Sequence, residues 1–245
     1  MRRCCVALML ILGFSIPVRA ADDFKVNNPD IKKYEFARSY ITALSYLKRL
    51  DNRWHKKAPK KVYANDDVKI IKASMDYLTM DNADLRVAKN YMVPYLSAQN
   101  ALIRKTADTF IAACDEEIAI NNQHKIAWQQ WAYLKEIGQA TPANEKDFIN
   151  AHRQYGLRFK EADKKIVQAS ILLTKVLISD QNKNEKGSLL AITADQRDKL
   201  LAKLDAFAKD ILAWGLKPGQ RTLEASIAVI REVLEDSVWI PLDEK

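Results

Sequence analysis

Apolar residues recur along this chain at the spacing of helix faces. From Phe36, the positions Tyr40, Ala43, Leu47, Leu50 and Trp54 follow at steps of 4, 3, 4, 3 and 4. Phe148, His152, Tyr155, Phe159, Ala162, Ile166, Ala169, Leu173 and Val176 keep the same alternation over nine positions. Leu200, Leu204, Phe207, Ile211 and Trp214 repeat it, and Leu223, Ile227, Ile230 and Leu234 do so more briefly. Such a seam keeps one stripe of each helix turned toward neighbours that cross it at a shallow angle. Nowhere does the period-two alternation of a half-buried strand compete with it.

The breaks between seams carry the residues that start and stop helices. Asn28-Pro29 and Thr141-Pro142 place a capping side chain before a proline, and Asn65-Asp66-Asp67 puts acids at a helix start, where the dipole favours them. Thr193 and Gln196 have capping-box spacing. Stops fall at Ala58-Pro59, at Gly138, in the polar run 180–187 and around Pro218. The pattern predicts helices over about 29–56, 66–80, 83–138 with a kink or division at Pro94, 142–180, 194–214 and 220–238. The expected fold is all-α, an elongated antiparallel bundle of about five to six long helices with heptad-like seams.

The first twenty residues depart from this pattern. Arg2 and Arg3 precede an apolar block, Val6 to Ile16, too short to cross a bilayer as a helix, and Val18-Arg19-Ala20 closes it with cleavage-site chemistry. This is the layout of a secretory signal peptide, so residues 1–20 are read as a leader and 21–245 as a single helical-bundle domain, periplasmic or secreted after cleavage near Ala20. Loss of Arg2, Arg3 and Arg19 lowers the formal charge from +8 to +5. That mild excess is spread over mixed-sign faces and, in an exported protein, does not indicate nucleic acid as a partner. Of the three cysteines only Cys114 lies beyond the leader, so no internal disulfide is expected and Cys114 is read as a buried small residue.

Candidate chemistry is thin. There is no CxxC, HExxH, Glu-x-x-His pair, glycine-rich phosphate loop or GxSxG elbow, and no cofactor or metal is expected. Extending the heptad from Ile103 and Phe110 brings Cys114, Glu117, Asn121, His124, Trp128 and Trp131 onto one stripe, beside the apolar stripe Ala113, Ile120, Ala127 and Leu134. If the helices on either side of residue 140 are antiparallel, His124 and His152 lie about 7 Å apart in height, at ~1.5 Å rise per residue, beside Trp128 and Tyr155. Glu117, Asn121, His124, Trp128, His152 and Tyr155 therefore form the candidate ligand-binding set. The plainer reading makes them a polar edge of the core, with Glu117 paired to Lys164 or Lys165.

A second candidate is the basic run Arg53, Trp54, Lys56, Lys57, Lys60 and Lys61, which suits contact with an anionic surface such as a membrane, or else a solvated loop. The functional expectation is a non-enzymatic exported protein of the cell envelope. It would act as a binding, scaffold or adaptor protein toward an unknown protein or envelope partner, or toward itself. The alternative is a small-molecule or metal-binding bundle with its site between helices 95–138 and 142–180.

Overall fold

The computed structural model describes residues 35–56, 63–178, 190–192, 194–213, 222–236 and 239–241. The leader and the residues 57–62 of the basic run lie outside the described residues, as does the helix start expected at Pro29. Among the described residues there are six α-helices: α1 Glu35–Lys56, α2 Val68–Asn90, α3 Ala101–Glu136, α4 Pro142–Ile178, α5 Ala194–Ala213 and α6 Thr222–Asp236. A 3₁₀ turn, Val93–Ser97, separates α2 from α3. A short antiparallel ladder pairs β1, Leu190–Ile192, with β2, Trp239–Pro241, which the sequence pattern does not indicate.

The ends of the helices follow their capping residues. Asp67 accepts from the Lys69 amide at 2.8 Å, and Asn100 accepts from the amides of Leu102 at 2.8 Å and Ile103 at 3.3 Å. Before α4, Thr141 Oγ1 accepts from the Asn144 amide at 3.3 Å while Asn144 Oδ1 accepts from the Thr141 amide at 3.3 Å, a reciprocal pair that satisfies two otherwise orphaned donors. Gly138 stops α3 at φ +68°, with the Gln139 amide reaching back to the Leu134 carbonyl at 2.9 Å. That backbone conformation disfavours side chains with a Cβ, hence glycine.

One expected boundary is corrected, and one left open is decided. The break placed at residues 81–82 does not occur, because α2 runs on to Asn90. Asp81 and Asn82 look like exposed, helix-ending residues in sequence, yet both are buried and hydrogen-bonded to neighbouring helices. Of the kink or division expected at Pro94, the division occurs: its ring sits in the 3₁₀ turn, where its missing amide costs no helical bond.

α2 lies antiparallel to α3, and α3 to α4. Across α2 and α3, Lys72 meets Glu136 at 2.6 Å and Asn82 meets Asn122 at 2.8 Å. Across α3 and α4, Glu116 meets Lys165 at 2.7 Å, and Trp131 stacks on Phe148 at 5.4 Å. In both pairs the partner's number falls as the residue's number rises. The α1 helix docks on α4 through Tyr40, whose hydroxyl donates to the Ser170 carbonyl at 2.6 Å. Lys203 and Glu232 join α5 to α6 at 2.9 Å.

The interior divides into two apolar clusters. The larger draws on α1, the second half of α2, the first half of α3, the second half of α4, and α5 and α6. The smaller, Ile71, Leu78, Trp128, Trp131, Ala132 and Phe148, belongs to the first half of α2, the second half of α3 and the first half of α4. Between them lie buried polar residues: Asp81, Asn82 and Asp84 on α2, Glu117, Asn121 and His124 on α3, and Asp163 on α4. A polar belt thus lies at the level of the last turns of α1, and beyond it, among the described residues, α2, α3 and α4 continue.

Candidate functional site

The sequence-predicted histidine pair is in direct contact. His124 Nε2 lies 2.9 Å from His152 Nδ1, and the indole Nε1 of Trp128 lies 3.4 Å from that same Nδ1. Indole N–H can only donate, so the lone pair of His152 Nδ1 faces both neighbours and accepts from Trp128 and from an Nε2–H on His124. Each ring therefore carries its proton on Nε2. Tyr155 stacks on His124 at 5.0 Å between centroids, and Trp128 lies against the same ring at 4.2 Å. On its other side His152 stacks on Phe148 at 6.0 Å, which ties the pair to the smaller cluster.

This packing keeps both imidazoles neutral. Burial, and after it the charge His152 would carry, lowers the pKa of His124 from 6.5 to about 3. Burial also lowers His152. A charged imidazole here would lose its water without gaining a carboxylate. The pair presents neutral nitrogen donors and acceptors but no poised acid, since a general acid or base working near pH 7 needs a pKa in that range.

The remaining predicted residues separate. Glu117 and Asn121 are fully buried, and Asn121 Nδ2 donates to Asn82 Oδ1 at 2.9 Å, so Asn121 turns toward α2 and away from the histidines. Lys165 does not pair with Glu117. It binds Glu116, one residue earlier, at the surface, while Glu117 faces inward at the level of Asp163. Cys114 is buried as expected, and burial raises its thiol well above 9.0, so it is not a poised thiolate.

The basic run is corrected at its first residue. Arg53 does not face an anionic surface: its side chain is 11% exposed and binds Asp81 and Asp84 of α2. Arg49 joins the second of these at 3.3 Å. Trp54 and Lys56 lie in the last turn of α1 with no side-chain placement among the described residues, and Lys57, Lys60 and Lys61 fall outside them.

Sequence reasoning missed Asp81, Asp84 and Asp163. For the α2 acids the signal was available: Ile71, Ser74, Leu78, Asp81, Leu85, Ala88 and Met92 step by 3, 4, 3, 4, 3 and 4, so Asp81 occupies a seam position. Among the described residues no group of three or more metal-ligating side chains comes together. Comparison of the chain with protein-family models, with curated proteins and with solved structures finds no match.

Proposed function

We propose that the chain is exported to the cell envelope, with residues 1–20 as its leader, and works there by binding through helix surface, as a scaffold or adaptor. On this reading residues 21–245 fold as one elongated antiparallel bundle. The observation that carries the proposal is the outer face of α3. Ala119, Asn122, Gln123, Ile126, Gln129, Gln130, Tyr133 and Ile137 are all exposed, and none is charged. Ile126 is 55% exposed, Tyr133 59% and Ile137 43%. Depletion of charge around large apolar and aromatic side chains distinguishes the centre of a protein interface from ordinary surface. The interior chemistry points the same way, with a neutral histidine pair and an inert thiol.

Two measurements test this. Mass spectrometry of the protein recovered from the envelope should find an N-terminus at Ala21, and an intact leader in a cytoplasmic fraction would overturn the export reading. Mild crosslinking in cells should trap adducts through α3, with another protein or with a further copy, that disappear in an Ile126→Glu/Tyr133→Glu variant. Adducts equally abundant in that variant would overturn the binding reading.

A second reading, a metal site on the histidines, has one observation in its favour. Two nitrogens bound at a right angle to one square-planar Cu²⁺ at ~2 Å stand about 2.9 Å apart, which is the His124–His152 separation. Titration with Cu²⁺ should then show one equivalent bound by wild type and none by His152→Ala. Equal binding by both would reject the site.

A further inference from the structure

We propose that α3 is the dimerisation helix of this protein, and that its outer face docks on the same face of a second copy in antiparallel orientation. This rests on the binding reading above and names the partner. Ala119, Gln123, Ile126, Gln130, Tyr133 and Ile137 follow each other at steps of 4, 3, 4, 3 and 4. They form a second heptad seam, about 27 Å long at ~1.5 Å rise per residue. The first five lie two residues on from Glu117, Asn121, His124, Trp128 and Trp131 of the buried seam, and so about 200° around the helix at 3.6 residues per turn, and Ile137 continues their line. The inner seam is buried between α2 and α4, while the outer one is exposed. Heptad spacing serves packing against another helix, and a solvated face has no need of it.

Charge selects the occupant. In a chain with 29% charged residues this stripe carries none. An acidic or basic partner would have to desolvate its charges against amides and aliphatic groups that cannot neutralise them. Two copies of a chain with formal charge +5 once the leader is removed repel over most of their surface, and a neutral stripe is where they can approach.

Antiparallel coiled coils oppose first and fourth heptad positions, which here sets the two-fold axis beside residue 128. About that axis Gln123 faces Tyr133 of the second copy, Ile126 faces its Gln130, and Ala119 faces its Ile137, small against large. The geometry is isologous, the same patch used twice, as a closed dimer requires.

The rim agrees independently. Arg158 of α4 leans over this side of α3, where it donates to Gln123. Asp147, exposed on the same side of α4 three turns earlier, stands at the level of Tyr133. The two-fold axis exchanges these levels, so Arg158 of each copy meets Asp147 of the other.

Sedimentation velocity on the purified protein over a concentration series tests the proposal. Wild type should shift from monomer to dimer. The Ile126→Glu/Tyr133→Glu variant should remain monomeric with an unchanged helical circular dichroism spectrum. Arg158→Glu should weaken the dimer at least several-fold, and adding Asp147→Arg should restore it. Orientation is read by oxidation: Ala119→Cys mixed with Ile137→Cys should form a disulfide-linked dimer, whereas each alone should not. Wild type that stays monomeric at every concentration overturns the proposal, and if α3 crosslinks to another protein in cells the binding reading survives without it. Ile137→Cys linking to itself overturns the antiparallel pairing.

Discussion

At the residue scale, the least expected feature is how much charge and polarity sits between packed helices. The Arg53 link to Asp81 and Asp84 is a buried ion network whose members gain little against an apolar replacement but depend on one another. Arg53→Met would leave two carboxylates in the belt without that partner, so unfolding in urea should show a loss of about 3–5 kcal/mol. An Asp81→Asn substitution, which removes one charge and keeps the shape, should cost less. The histidine pair gives a pH dependence of definite sign. In the unfolded chain His124 titrates near 6.5, and in the folded protein at about 3. As pH falls between these values the unfolded state binds the proton and the folded state does not. The contribution to stability is thus complete above pH 6.5 and eroded below it, at up to about 1.4 kcal/mol per pH unit for each histidine so affected. Urea midpoints measured at pH 7.5 and pH 5 should differ more for wild type than for His124→Gln. Equal differences would show that the pair does not titrate as its burial implies. The two histidines were legible in the sequence because each occupied a seam position on helices joined by a short turn. Asp163 was not, since it stands one residue beside its seam, where burial depends on which neighbour covers the flank.

At the element scale, helix type and most helix ends were legible, because caps act locally and their residues are few. Asp67, Thr141 and Gly138 do what their side chains or lack of one dictate, and Asn100 caps α3 once Pro94 has ended the helix before it. What misled was polarity inside α2. A polar pair at 81–82 ends a helix only if water is its best partner, and here Arg53 and the asparagines of α3 replace water. The ladder of β1 and β2 was illegible for a related reason: three-residue strands fix no period, and their pairing joins segments far apart in the chain. The caps yield a prediction of their own. Asn100→Ala removes the acceptor for two amides and should cost about 1 kcal/mol. Gly138→Ala forces a Cβ into positive φ and should cost about 1–2 kcal/mol, although nothing crowds the site. Each kilocalorie should lower the melting temperature by about 2–4 °C in a protein of this size.

At the scale of the whole molecule, the polar belt separates two bodies of unequal strength. Among the described residues the smaller apolar cluster has six buried members, and thirty-one belong to the larger. Apolar burial is the main favourable term in folding, so the three-helix end has far less holding it closed. The belt does not transmit packing as an apolar core does, because its contacts are directional and each can break while the helices on the far side stay docked. Opening of the first half of α2, the second half of α3 and the first half of α4 should therefore require less free energy than global unfolding. Hydrogen exchange followed by mass spectrometry should find amides of 70–78 and 125–150 exchanging faster than those of 40–50 and 166–177. Phe148→Ala should widen that gap, because it removes the only α4 member of the smaller cluster among the described residues and leaves the larger one intact. Acid should widen it too, through the histidine pair that sits at the belt. Uniform protection from one end of α3 to the other, unchanged by Phe148→Ala, would mean that the two clusters behave as one core. The exposed seam Ala119 to Ile137 lies on this weaker half, so docking a second copy there should raise protection of 125–137 as protein concentration rises, and the same exchange experiment reads that increase.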